Sequence, residues 1–142
     1  MNATATNRRG AYRTARDNAR RQVASGHVTE GWRHLQRAHI LAQPDATIHI
    51  GSHIAMLRHG IIEKDAEEVV GQALRALLAG PASLTGRVPT GNDGRARTPL
   101  SNRMAIPDDL RPHFTSRTQP TKRRLRTTEH THQRKCPSDS GI

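Results

Sequence analysis

Apolar residues recur through the first eighty positions of this 142-residue chain at spacings of three and four, the period of a helix that buries one side. Tyr12, Ala15, Ala19 and Val23 share one side of an alanine- and arginine-rich segment, which predicts a helix over 12–24 with Gly26 as its cap. Val28, Trp32, Leu35, His39 and Ala42 mark a second helix over 29–43, with Thr29 as N-cap and Pro44 as stop. A third, over 46–59, starts at Asp45 or Thr47 and is capped by Gly60. Its apolar stripe is Ile50, Ile54, Leu57 and Ile61, and His49, His53 and Met56 lie on the adjoining stripe, about 100° round the helix. In a fourth helix, over 64–79, Ala66, Val70, Ala73, Leu74, Leu77 and Leu78 form the core face, acids sit in the first turn, and Gly80-Pro81 ends it.

Beyond residue 81 the pattern stops. Gly86, Pro89, Gly91, Gly94, Pro99 and Pro107 preclude a long regular element, and Gly91-Asn92-Asp93-Gly94 reads as a turn. The expected fold is all-α: a small antiparallel bundle of about four helices over 11–110 with a Gly/Pro-rich C-terminal segment. Residues 1–10 and the polar, basic stretch 111–142 read as disordered. The first two helices also resemble one tetratricopeptide hairpin, but a single unit cannot make a repeat array.

Charge sharpens this division. The net charge is +11, of which +5 falls in 1–24 and +6 in 111–142, leaving the middle neutral. Apolar residues are 33% and Trp, Tyr and Phe occur once each, enough core for part of the chain only. The lone cysteine, Cys136, excludes an internal disulfide and fits a reducing compartment. The N-terminus has no apolar signal region, and no apolar run approaches a membrane span, so a cytoplasmic location is expected.

The ten residues Trp32-Arg33-His34-Leu35-Gln36-Arg37-Ala38-His39-Ile40-Leu41, the spacing of His49, His53 and Met56-Leu57, and Val70-Gly71-Gln72 form an ordered set. The loop Gly86-Arg87-Val88-Pro89-Thr90-Gly91-Asn92-Asp93-Gly94-Arg95 and Ile106-Pro107-Asp108-Asp109-Leu110 follow it. In these segments the chain resembles an uncharacterised bacterial family known as a domain of unknown function, over about 11–110. The resemblance implies no catalytic role. Two positions depart from that family's pattern: Gln36, where an acid is expected, and Asp93, where Thr is expected.

Candidate chemistry centres on His34, His39, His49, His53 and Met56. His49 and His53, one turn apart, can hold one ion between two imidazoles, and His39 on the preceding helix is the best third ligand. His34 lies 140° from His39 on an ideal helix, so the two do not both face one locus. Ligand nitrogens within about 4–5 Å of one another are the geometric expectation. Met56 would favour copper, whereas a carboxylate would favour zinc or nickel. The competing explanation is that a chain with nine histidines has such a pair by chance and that Met56 only fills core.

The glycine loop, with Arg87, Arg95 and Arg97, can cradle an anion, but it lacks the strand and Gly-Lys-Ser/Thr ending of a nucleotide loop, and a packed turn is the stronger expectation. Lys122, Arg123, Arg124 and Arg126 can bind nucleic acid or an acidic protein nonspecifically, although no aromatic platform accompanies them. No catalytic constellation is legible, so the chain is expected not to be an enzyme. The sequence supports a transition-metal accessory or buffer protein, and alternatively an interaction module with basic arms. It is silent on oligomeric state.

Overall fold

The computed structural model describes residues 3–85 and 89–114. Four helices follow one another: α1 (Ala3–Ala24), α2 (Val28–Ala42), α3 (Ala46–Glu63) and α4 (Ala66–Leu84), with a single 3-10 turn at Arg111–His113. No strand occurs among the described residues, so the all-α bundle expected from periodicity is the fold. α1 packs along α2 and α3 along α4, and the two hairpins meet where α2 lies against α3.

Local chemistry sets the connections. Gly26 takes a left-handed φ of 78° after α1. Asp45 starts α3, its carboxylate accepting from the backbone N–H of Thr47 and Ile48 at 3.2 and 3.4 Å. Lys64, at φ 58°, closes α3.

Several boundaries differ from expectation: α2 begins at Val28 with His27, not Thr29, at its N-cap position, and α1, α3, α4 and the end of the fold also differ. α1 begins at Ala3, so most of the segment expected to be disordered is helical. The Arg9 guanidinium grips Asp45 at the head of α3, with Nε at 2.8 Å, and Leu110, Ile106 and Phe114 pack on the cluster holding Tyr12 and Ala15. The same contacts carry the described fold past 110 to the turn at Arg111–His113. α3 runs through Gly60 to Glu63. A Cβ at Gly60 would sit 3.1 Å from that of Glu68, so this glycine permits close approach of α4 and is not a cap. α4 continues through Pro81, which forfeits one helical hydrogen bond near the end, and the Thr85 N–H donates to its carbonyl at 3.1 Å.

The core lies mainly between α1 and α2. Tyr12, Ala15, Ala38, Ile40, Leu41, Ala42 and Leu110 form one buried cluster, and Ala19, Trp32, Leu35 and Met56 a second. The second hairpin reverses the expected faces. His49, Ser52, His53, Met56 and His59 are buried on α3, and Glu68, Gln72, Arg75 and Ala79 on α4, whereas Ile54, Ile61, Val70, Leu74, Leu77 and Leu78 are exposed. The inward Ser52, His53, His59, Glu68, Gln72 and Arg75 all find hydrogen-bond partners there, which removes most of the cost of burying them.

Segment 89–114 runs across the open end of this arrangement and is pinned by side chains. Gln43 donates to the carbonyls of Pro89 and Asn92, both at 3.0 Å, and accepts from the Gly91 N–H. Asn92 donates to Pro99 and Asn102 carbonyls and accepts from the Gly94 N–H at 2.9 Å. The segment crosses α4 at Gly71, where a Cβ would lie 2.4 Å from that of Ala96.

Candidate metal centre

His39 from α2 and His49 and His53 from α3 meet where the two hairpins join. All three are buried, and one ligating nitrogen from each lies within 4.8 Å of the others. Their ring centroids are 4.6 to 5.0 Å apart. Tetrahedral bonds of 2.0–2.1 Å would set the nitrogens about 3.3 Å apart, so small ring rotations close the site. The i, i+4 pair and the inward position of His39 thus converge as their spacing predicted.

Hydrogen bonds fix how two of the rings are presented. Gln72 uses both amide protons, donating to the Glu68 carboxylate at 2.9 Å and the Gly94 carbonyl at 2.8 Å. Its oxygen can therefore only accept, and His53 Nδ1, at 2.8 Å, must carry the proton. Ser52 donates to the His49 carbonyl at 2.6 Å and so accepts from His39 Nδ1 at 3.2 Å. Both rings are left with Nε2 as the lone-pair nitrogen, a neutral tautomer able to ligate a metal through that atom, with the other nitrogen held by a second partner. Gly94, at φ 80°, backs His39, and a Cβ there would come within 2.6–2.9 Å of the ring.

Burial holds these imidazoles neutral. The pKa of His49 is pushed down to about 4 by desolvation and by neighbouring His53. His53 also falls to about 4, with desolvation outweighing the Gln72 hydrogen bond and Arg75 adding to the depression. His39, fully enclosed, is driven well below the ordinary range by desolvation, then by His53, His49 and Arg75.

Behind Gln72 stands an ion network. Glu68, completely buried, accepts from Arg95 Nε at 2.6 Å and from the Ala96 N–H at 3.2 Å. Arg75 donates to the Ala96 and Thr98 carbonyls, and Arg97 pairs with Asp65 at 2.8 Å. These contacts make the glycine loop the packed turn that was the stronger expectation, not an anion cradle. Arg95 and Arg97 are paired, and the N–H groups of Gly91, Gly94, Arg95 and Ala96 are taken by Gln43, Asn92, Asp93 and Glu68. Arg87 lies outside the described residues.

His34 is not among the grouped histidines. Met56 is wholly buried in the cluster with Trp32 and Leu35, as core filling. His34 lines a different concavity of about 1060 Å³, flanked by α1, α2 and segment 104–113, and its helix neighbour Glu30 pairs with Arg33 at 3.0 Å. Lys122, Arg123, Arg124 and Arg126 lie outside the described residues, as do His130, His132 and Cys136. Sequence reasoning missed Ser52, Glu68, Gln72 and Gly94, the residues that orient and back the ligands. A signal existed: Glu68, Gln72, Arg75 and Ala79 repeat at four and three, as an apolar stripe would.

The family model described as "Protein of unknown function (DUF3703)" matches residues 6–114. The chain belongs to this family. Comparison with curated proteins and with solved structures gave no match. The match covers all but the first three residues of α1, and within it Gln36 Nε2 lies 3.5 Å from Asp93 Oδ2.

Proposed function

We propose that this protein binds one transition-metal ion through His39, His49 and His53 and acts as a metal-holding accessory or buffer and not as a catalyst. The observation that carries this reading is the convergence of three buried, neutral imidazoles, two of them with Nδ1 committed to a fixed acceptor. Ligands that are already neutral bind without competition from protons. With Met56 in the core and only imidazoles in the group, zinc, copper(II) and nickel suit the donor set.

A cavity of about 60 Å³ adjoins the rings, lined also by Gln43, Arg75, Leu78, Ala79 and Leu100. It has room for a metal and a few waters but falls far short of the roughly 300–1,000 Å³ of organic-ligand pockets, which supports holding an ion over transforming a substrate. Arg75 beside the site favours a small anion, such as hydroxide or chloride, as fourth ligand.

Metal analysis of untagged protein, repeated on a His49→Ala/His53→Ala variant, tests the reading. Near-stoichiometric metal, lost in the variant, is expected, together with a rise in melting temperature of roughly 10 °C when metal exceeds its Kd a hundredfold. Native protein that retains no zinc, copper or nickel and melts unchanged in their presence overturns it.

A further inference from the structure

The outward sides of α3 and α4 pose a separate question from the histidine centre. Ile50, Ile54, Leu57 and Ile61 on α3, and Ala66, Val70, Ala73 and Leu77 on α4, are spaced four and three apart, as a helix spaces the residues of a seam. The chain does not bury that seam. Ile54, Ile61, Ile62, Val70, Leu74, Leu77 and Leu78 are 41–76% exposed, the extreme being Leu77. On α4, Val70, Leu74 and Leu77 project opposite the buried Glu68, Gln72 and Arg75. Monomers seldom expose an apolar patch beyond about 300–600 Å², and a stable interface takes roughly 800 Å² from each partner. Of these side chains, Leu78 borders the histidine cavity and Ile62 a concavity shared with α1; Ile54, Ile61, Val70, Leu74 and Leu77, with exposed Ala66, Ala73 and Pro81, approach that scale.

Segment 115–142 is a poor cover. It offers only Leu125 and Ile142 as large aliphatics and carries seven Lys and Arg. The rim is also unlike that of a membrane-seeking helix, whose polar flanks are basic: here Arg58 and Lys64 are matched by Glu63 and Glu67. Two neighbouring helices with matching seams and mixed-sign edges suit their own copy, because a two-fold axis sets seam against seam. We propose that the outer face of α3 and α4 pairs with the same face of a second copy, the four helices enclosing an aliphatic centre distinct from the polar interior of each chain.

Sedimentation velocity of the full chain, from low to high micromolar concentration, tests this directly. The expected species has twice the 15.7 kDa chain mass. A Val70→Glu/Leu77→Glu variant is expected to sediment as a single chain with an unchanged helical circular dichroism spectrum and unchanged metal content. Should that variant lose helicity, Leu77→Ser, at the most exposed position, replaces it with the same expectation. A native chain that stays single at high micromolar concentration overturns the proposal, and one that then floats with lipid vesicles assigns the face to a membrane. A folded glutamate or serine variant that still pairs also overturns it. None of these outcomes depends on whether the histidines bind metal.

Discussion

The two hairpins fill their interiors in opposite ways. In α1–α2 the inward stripe is Tyr12, Ala15, Ala19, Trp32, Leu35, Ala38 and Leu41, and the interior is mostly hydrocarbon. In α3–α4 the inward stripe is His49, Ser52, His53, Glu68, Gln72 and Arg75, held by hydrogen bonds, while isoleucine, valine and leucine face out. Hydrocarbon burial is tolerant of detail, whereas a buried polar network is secure only when every member is satisfied. The first hairpin is thus the part of the molecule that supplies stability. The second sacrifices stability to hold a set of chemically competent groups in one geometry.

The contrast can be broken most sharply at Glu68. Glu68→Ala leaves Arg95 and Gln72 without their acceptor in a buried place, and a loss of about 3–5 kcal/mol is expected in urea unfolding. A loss below 1 kcal/mol would mean that the polar interior is not sealed. Next comes a paired measurement on leucines. Leu41→Ala, in the first hairpin's core, should cost about 2–5 kcal/mol. Leu74→Ala, on the outward face of the second, should cost no more than about 0.5 kcal/mol at high dilution, any further cost growing with protein concentration. Equal costs at high dilution would erase the distinction between the hairpins.

A smaller effect is expected from pH in the metal-free protein. His39, His49 and His53 are neutral in the fold, the latter two titrating only near pH 4, while in the unfolded chain they protonate near 6.5. Between those values the unfolded chain binds more protons, so stability is fully present above 6.5 and declines as pH falls towards 4. The decline should be roughly 1 kcal/mol per histidine per pH unit, read from unfolding midpoints at several pH values. A His53→Gln variant should flatten the slope by its share, and an unchanged slope would show that this ring is not held neutral.

Much of this was legible in the sequence, and the errors have one cause. Helix number, type and order follow from periodicity, and the histidine cluster from an i, i+4 pair beside an inward histidine. Periodicity marked both stripes on α3 and the apolar one on α4, but it cannot say which stripe faces the chain's own interior. Apolar content decides that only when polar side chains have nowhere to be satisfied, and Glu68, Gln72 and Arg75 find their partners in Arg95, Gly94, Ala96 and Thr98, more than twenty residues away. The early start of α1 was hidden for the same reason, since Arg9 and Asp45 are 36 positions apart.

The neutrality of the three rings has a thermodynamic consequence for the metal loading proposed above. Most histidine sites shed protons as they fill, so the measured heat of uptake includes the ionisation of whatever buffer absorbs them. Here the imidazoles have nothing to release near neutral pH. For the proposed metal site with a fourth ligand that sheds no proton, such as chloride, the enthalpy of loading should therefore be the same in weakly coordinating buffers of different ionisation heat, such as PIPES and HEPES.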